Sequence, residues 1–434
     1  MDYDSLKLYY NRLGDEPLRP GDPRYWDIDA MEGRPRGRSW ADGLARQLEL
    51  SEKPLRLLVT GLRGTGKSTE LLKLEQRLSR RQPEGAHHLV VLVDGEEVFD
   101  LANEIDVPDI LTAVVHATER AVLEAEGKDP DLALTDGYLK RLWTWLKSTD
   151  VTLDQVRLSP VKEVTLVAEM KTRPTLRQQI RHTLTEHFST FLQRAREELV
   201  LLNERAQKAG FARITVLFDS LEKLQGLSTN WKQVLQSAEQ VFVSGDRYLH
   251  LPVHAVYTVP PALLNRSNMG TIHYLPMVKL FDRKQRRHQP GFDAMREIIG
   301  RRITDQGLSD LLGPAYEPRI DRLIERSGGH PRQMVQMLRS LLTLPELPVT
   351  EGDVQRLFAE QRERYRMVLA LEDAPWLRRI HRDKTMVREN AEQGESIDRA
   401  LTNSVIFRYA NDDVWYGLHP AVLELEMLAE NNDG

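Results

Sequence analysis

The segment Gly61-Leu62-Arg63-Gly64-Thr65-Gly66-Lys67-Ser68 has the spacing G-x-x-x-x-G-K-[ST], which suits a bound triphosphate. Glycines let backbone N–H groups approach the phosphate oxygens, and a following helix adds its N-terminal dipole. Lys67 would reach the β- and γ-phosphates, and the Ser68 hydroxyl would ligate Mg²⁺. We therefore predict contacts to ATP from Gly61, Arg63, Gly64, Thr65, Gly66, Lys67, Ser68 and Thr69.

A second group of chemical residues is predicted at the ends of buried strands. Asp219 ends the apolar run 214–218 and is predicted to hold Mg²⁺ together with Ser68. Thr258 ends the run 253–258, where a hydroxyl would sense the γ-phosphate. Capping of the next turn, at Pro260-Pro261, is the alternative for Thr258.

The base that would activate the attacking water is less well defined. Ser220 follows Asp219, where many ring ATPases have a Glu, and Glu222 is the nearest substitute. The alternative for Glu222 is a solvated acid in a turn. If Glu222 is not the base, we expect slow hydrolysis and a protein that works mainly as a nucleotide-loaded switch.

Short apolar runs predict the sheet that positions these residues. The strand 55–60 precedes the glycine loop, and Leu71, Leu74 and Leu78 mark a helix after it. Further strands are predicted at 89–93, 214–218, 253–258 and 271–278. Their runs are continuous, which is typical of parallel strands buried on both faces.

Helices are predicted on either side of this core. A helix at 40–50 follows a leader rich in Pro, Gly and charge, and an insertion holds a helix at 107–126 and a β-leaning stretch at 161–170. Apolar residues at three and four spacing from Leu176 to Leu202 predict one long helix, opening after Pro174 and ending at Gly210. Packing on the sheet is the favoured interpretation, and a coiled coil with a partner is the alternative.

The C-terminal part is predicted to be helical, with a break at Gly328-Gly329-His330-Pro331. Two β-like runs, 404–409 and 414–418, follow several helices and predict a winged-helix module. The expected domains are a leader (1–50), an α/β core (51–280) with a helical insertion near 100–212, a helical lid (281–348) and a winged-helix-like domain (349–434).

The sequence GLRGTGKSTELLKL, the acid strand VLFDSLEKL and the strand order resemble the additional-strand P-loop ATPases. The resemblance is to AAA+ and STAND-type proteins of the origin-recognition-like branch and covers roughly residues 30–345. It implies a P-loop NTPase core and ATP hydrolysis. Ser327 to Arg332 resembles the lid turn of that branch, which implies that Arg332 contacts the γ-phosphate. The alternative for Arg332 is a helix N-terminus with Pro in its first turn.

The composition indicates the cellular compartment and the class of partner. The net charge is −5, Cys is absent, and the first ten residues form no apolar leader, so we expect a soluble cytoplasmic protein with no disulfide. From Glu351 onward eleven basic residues face seventeen acidic ones, which disfavours DNA and favours protein contact there.

These observations lead to three hypotheses about function. The first is an ATPase switch that forms homo-oligomers and controls a partner or effector in a separate chain. For this switch, the resemblance to STAND-type proteins implies a role in bacterial defence. The second is a DNA-associated loader using the basic run Arg283, Lys284, Arg286 and Arg287. That run has two other readings, a solvated loop or an arginine supplied to a neighbouring subunit. The third is a nucleotide-binding scaffold without turnover.

Overall fold

The computed structural model describes residues 1–80, 87–135, 137–149, 174–224, 226, 229–266, 270–387, 391–410 and 413–429. The β-leaning stretch expected at 161–170 lies outside these residues. The chain divides into two compact units. The first unit consists of Met1–Gly43, Gly61–Leu72 and Tyr274–Gly434, and the second of Leu44–Thr60 and Lys73–His273.

Seven strands and eighteen α-helices are found in the described residues. The strands are β1 (Arg56–Thr60), β2 (His88–Asp94), β3 (Arg213–Asp219), β4 (His254–Thr258), β5 (Ile272–Tyr274), β6 (Ile406–Ala410) and β7 (Val414–Leu418). The helices are α1 (Tyr3–Arg12), α2 (Trp40–Leu50), α3 (Lys67–Leu78), α4 (Gly95–Val98), α5 (Val107–Ala125), α6 (Leu132–Thr135), α7 (Tyr138–Thr149), α8 (Pro174–Glu186), α9 (Phe188–Lys208), α10 (Trp231–Glu239), α11 (Gln289–Gly300), α12 (Asp305–Leu312), α13 (Tyr316–Ser327), α14 (Pro331–Leu342), α15 (Glu351–Arg366), α16 (Ala374–Asp383), α17 (Ala391–Thr402) and α18 (Pro420–Leu423). Among them, no helix combines the length and apolarity that a membrane span requires.

Five strands form one sheet. All of their residues belong to the second unit except Tyr274, the last residue of β5. Its order is β2-β3-β4-β1-β5, and β2, β3, β4 and β1 pair in parallel. One strand, β4, therefore lies between β1, which leads into the glycine loop, and β3, which ends in Asp219. This order confirms the predicted α/β class with a parallel sheet of the additional-strand type.

The predicted long helix after Pro174 is wrong, because His187 interrupts it. The backbone of His187 has φ −110° and ψ 28°, which are not helical values, and α8 and α9 form on either side. Apolar side chains from both helices enter the core of the second unit, and this confirms packing rather than a free coiled-coil face. They include Ile180, Leu184, Phe191, Ala195, Leu199 and Leu202.

The first unit is mainly helical and contains the break predicted between α13 and α14. Gly328 and Gly329 both have positive φ values, of +60° and +82°. A Cβ atom on Gly329 would lie 1.8 Å from the backbone oxygen of Val278, so only glycine fits there. The break consequently fixes where α14 begins, at Pro331.

The C-terminal strands β6 and β7 form an antiparallel hairpin after α17. Leu62 of the glycine loop packs with Met277, Phe407, Tyr409 and Trp415 in one buried cluster. The Tyr409 hydroxyl also donates to the backbone oxygen of Gly328 across 3.0 Å. The hairpin is thus fixed to both the loop and the break within the first unit, while its assignment to a winged helix stays a prediction.

Candidate nucleotide-binding site

The glycine loop has the backbone shape that its sequence predicts. Gly64 and Gly66 have φ values of +83° and +98°, which side chains rarely tolerate. A Cβ atom on Gly64 would lie 2.6 Å from the His330 ring and 2.7 Å from the Arg332 Cβ. The loop ends where α3 begins, at Lys67, so the N-terminal amides of a twelve-residue helix follow it directly.

Lys67 lies inside the curve of the loop rather than in solvent. Its side chain is only 3% exposed, and its Nζ atom donates to the backbone oxygens of Gly61 and Leu62, each at 2.9 Å. These carbonyls hold the ammonium at the base of the loop, which is the position required for a counter-ion to phosphate. The donor set and the glycine geometry therefore fit a nucleoside triphosphate, and the half-buried Ser68 follows Lys67 at the start of the helix.

Two threonine hydroxyls form hydrogen bonds at the loop and at the first turn of α3. The Thr65 hydroxyl donates to Leu62 O at 2.9 Å, and the Leu18 amide donates to Thr69 Oγ1 at 3.2 Å. Leu18 belongs to the leader rich in Pro and Gly. Thr69 is consequently held by a segment about fifty positions earlier in the chain.

Arg36 is a supporting residue that sequence reasoning missed. It is buried and forms ion pairs with Glu70 of α3 and with Asp29, the latter at 2.7 Å. It also donates to Thr65 O at 3.5 Å. Burial opposes the charged form, but Glu70 and Asp29 outweigh it and raise the pKa of Arg36. Arg36 therefore fixes the first turn of α3 as a permanent cation beneath the loop.

His330 joins the loop to the start of α14. Its Nε2 atom donates to the backbone oxygen of Arg63 at 2.7 Å, and its Nδ1 atom accepts from the Gln333 amide at 3.3 Å. Burial lowers the pKa of His330 to about 4, and the positive charges of Arg332 and Lys67 act in the same direction. The ring is therefore neutral at pH 7, and its single N–H is used on the loop.

The predicted phosphate contact, Arg332, lies beside the loop through its backbone. The Arg332 amide donates to Gly64 O at 3.3 Å. Its guanidinium, by contrast, pairs with Asp15, with 3.4 Å between Nε and Oδ2. This side chain is partly exposed, and it would have to leave Asp15 to reach a phosphate.

The predicted strand-end residues lie at one edge of the sheet in the second unit. Val59 pairs with Thr258, and Phe218 pairs with Tyr257, so β1, β4 and β3 end at the same level. Asp219 follows Phe218 at this edge, and its Oδ1 atom accepts from the Ser220 amide at 2.7 Å. Ser220 has φ +67°, which turns the chain sharply after the strand.

Thr258 and Glu222 are both buried at this turn. Thr258 Oγ1 accepts from the Leu221 amide at 2.9 Å, so its hydroxyl holds the short 3-10 turn Leu221–Lys223 rather than capping Pro260-Pro261. Glu222 is only 3% exposed, which removes the alternative of a solvated acid. A buried carboxyl next to the strand end suits a base, although its assignment stays a prediction.

Two arginines of the exposed basic run 283–287 form ion pairs within the first unit. Arg286 pairs with Asp282 at 2.7 Å, and Arg287 pairs with Asp321 at 2.8 Å. Arg287 also lies over the Phe292 ring, 3.5 Å from its centroid. These contacts favour a structural role for this turn over a free basic surface.

No protein-family model matches this chain, and no curated protein matches it. Solved structures similar to it include the Walker-type ATPase PABY2304 of Pyrococcus abyssi, at 13% sequence identity and a TM-score of 0.38, covering 95% of this chain and 98% of that chain. Cdc6p from Pyrobaculum aerophilum is similar at 11% identity and a TM-score of 0.35, covering 93% of this chain and 95% of that chain. Both likenesses are weak, so the fold and the site rest on the sheet order and the glycine loop themselves.

Proposed function

We propose that this chain binds ATP with Mg²⁺ at the loop 61–68 and hydrolyses it slowly. The observation that supports this is the loop itself, which combines two left-handed glycines, an enclosed Lys67 and the N-terminus of α3. Lys67 would exchange its two carbonyl contacts for phosphate oxygens, and the α3 amides would donate to the same oxygens. Mg²⁺, when bound, would neutralise the phosphate charge, with Ser68 and Asp219 as the predicted ligands.

We further propose that nucleotide state controls assembly of the chain and, through it, a partner protein. The loop is in contact with two elements that can report its position within the first unit. His330 holds Arg63 from the start of α14, and Leu62 is buried against the β6-β7 hairpin. A loop that moves to accept phosphates must change at least one of these contacts, so occupancy would be transmitted to α14, to the hairpin or to both.

The resemblance to STAND-type proteins supports an effector in a separate chain, with bacterial defence as its setting. The acidic excess after residue 351 supports a protein partner rather than DNA. The ion pairs of Arg286 and Arg287 point the same way. The DNA loader is therefore the weaker hypothesis.

The solution mass of the chain tests this switch. It is measured by light scattering without nucleotide, with ADP and with a non-hydrolysable ATP analogue, each with Mg²⁺. We expect the analogue alone to drive assembly and Lys67→Ala to prevent it, while Lys53→Ala, at an exposed lysine outside the G-x-x-x-x-G-K-[ST] motif, assembles as the wild type does. An unchanged mass in all three states would contradict the switch and leave only ATP binding.

A further inference from the structure

A cavity lies within the first unit, separate from the glycine loop. Its volume is about 450 Å³, which falls in the range of sites for small organic molecules. Aromatic and aliphatic side chains form much of its wall, and they include Phe281, Phe358, Tyr409, Trp415, Leu418 and Leu423. None of the residues 61–69 lines it, so it is not part of the nucleotide site.

Lys384 lines this cavity and is unusually placed for a lysine. It follows α16 with φ +58°, a left-handed conformation that glycine or asparagine adopts more readily. Its backbone is well anchored, because its N–H donates to Ile380 O and its oxygen accepts from the Tyr416 amide, both at 2.9 Å. Only 8% of the residue is exposed, so most of Lys384 lies in the wall of the cavity.

The Lys384 ammonium has no ion-pair or hydrogen-bond partner among the residues that the structure describes. Other charged residues of the wall do have partners. Arg326 pairs with Glu424, and Arg322 pairs with Glu351 at 2.8 Å. Glu325 lies 3.7 Å from Arg287. Lys384 is therefore a cation of the cavity wall with no carboxylate beside it, and an anion inside the cavity would pair with it.

The neighbouring His381, which also lines the cavity, shows that this charge is felt locally. Burial lowers the pKa of His381, and the positive charge of Lys384 lowers it further. No carboxylate is among the causes that shift Lys384 itself, whose pKa is lowered by burial alone. The cavity thus has one cation without a carboxylate partner, and apolar side chains share the rest of its wall with paired charged and polar ones.

We propose that this cavity binds a small organic acid, with an aromatic or aliphatic body against Phe281, Phe358 and Trp415 and one carboxylate on the Lys384 ammonium. The aromatic walls would enclose the body, and a single cation matches a single negative charge. Because the β6-β7 hairpin supplies Tyr409 and Trp415, which also pack with Leu62, such a ligand would rest on the same hairpin that contacts the glycine loop.

A pair of probes that differ in charge alone tests this site. Calorimetric titration compares 1-naphthoate with 1-naphthalenemethanol, which has nearly the same shape and no charge. We expect the full chain to bind the acid at least about tenfold more tightly than the alcohol, the size of one charge-assisted contact. Binding of neither probe, or equal binding of both, would overturn the proposal.

Matched variants assign that preference to Lys384. Lys384→Met keeps the apolar stem, removes the charge and is expected to bind both probes alike, whereas Lys384→Arg and Lys284→Met, at an exposed lysine, keep the preference. Lys384→Met should melt no lower than Lys284→Met, because the ammonium that it removes has no ion-pair partner among the described residues. A preference that survives Lys384→Met, or a melting temperature that falls only in that variant, would contradict a ligand role. The preference should persist in Lys67→Ala, so this test is independent of ATP binding.

Discussion

The His330 ring donates its Nε2 proton to the backbone oxygen of Arg63 across 2.7 Å. Next to it, the Arg332 amide donates to Gly64 O at 3.3 Å. Two consecutive loop carbonyls are therefore held by the turn that begins α14. Any ligand that rearranges the glycine loop must do so against these contacts, so we expect α14 to respond to the ligand.

The neutral state of His330 predicts a loss of stability in acid. Its pKa in the folded chain is about 4, against an ordinary value of 6.5, so the unfolded chain takes up the proton at higher pH. The free energy of unfolding should therefore fall as pH drops from 6.5 towards 4, with His330 contributing at most about 3 kcal/mol. Denaturant titrations across this range measure the effect.

His330→Gln keeps a donor for Arg63 O and cannot titrate in this range, so we expect a shallower loss in that variant. The exposed His182→Gln is the control and should follow the wild type. Some loss should remain in His330→Gln, because burial lowers the pKa of His88 and of His254 to about 4 as well. A slope identical to that of the wild type would contradict the assignment to His330.

Removal of the Arg36 guanidinium should destabilise the first unit strongly. Arg36→Met leaves Glu70 and Asp29 buried without their cation, for which we expect a loss of about 3–5 kcal/mol in the free energy of unfolding. Arg38→Met, at an exposed arginine two positions on, should change it by less than about 0.5 kcal/mol. If the two substitutions lower the free energy of unfolding equally in denaturant titrations, the ion pairs of Arg36 with Asp29 and Glu70 do not stabilise the fold as we expect.

Thr258→Val tests whether the hydroxyl holds the turn after β3. The substitution leaves the buried Leu221 amide without its acceptor, and the expected cost is about 1–3 kcal/mol of stability. ATP hydrolysis should slow with it, since the turn carries Glu222. Thr258→Ser keeps the oxygen and should restore much of both quantities. If Thr258→Val is destabilised but hydrolyses ATP at the wild-type rate, the hydrogen bond that holds this turn is not needed for hydrolysis.

Glu222→Gln distinguishes an ATPase from a nucleotide-binding scaffold. If Glu222 is the base, steady-state hydrolysis should fall by about a hundredfold or more while ATP affinity is retained. The control is Glu124→Gln, at an exposed acid of the same unit, for which hydrolysis should be unchanged. If Glu222→Gln hydrolyses ATP at the wild-type rate, Glu222 is not the general base.

The sheet and the glycine loop could be predicted because their signals are local. Trp40–Leu50 forms a helix with the predicted bounds, and β1 to β4 agree with the apolar runs to within a residue or two. Periodicity did not reveal the break at His187, because Leu184 and Phe191 are seven residues apart, a spacing that a continuous helix would also produce. Hydrophobic periodicity shows which residues share a helix face, but it does not detect a single residue, such as His187, whose backbone is not helical.

The supporting contacts of the site could not be predicted because they join distant segments. Arg36, Asp29 and Glu70 meet only after the leader has folded onto α3, and no spacing in the sequence marks this. The contact of Arg332 with a phosphate stays a prediction, and the residue that its guanidinium pairs with, Asp15, lies more than three hundred positions earlier. Arg36 is one of many charged residues in the leader, so its charge did not distinguish it.

Equilibrium binding of ATP tests the central claim most directly. Calorimetric titration with Mg²⁺ compares the wild type, Lys67→Ala and the exposed control Lys53→Ala. The account predicts saturable binding of one ATP per chain, weakened at least about tenfold in Lys67→Ala and unchanged in Lys53→Ala, because only Lys67 sits within the loop. No binding by the wild type, or equal affinity in Lys67→Ala, would contradict it.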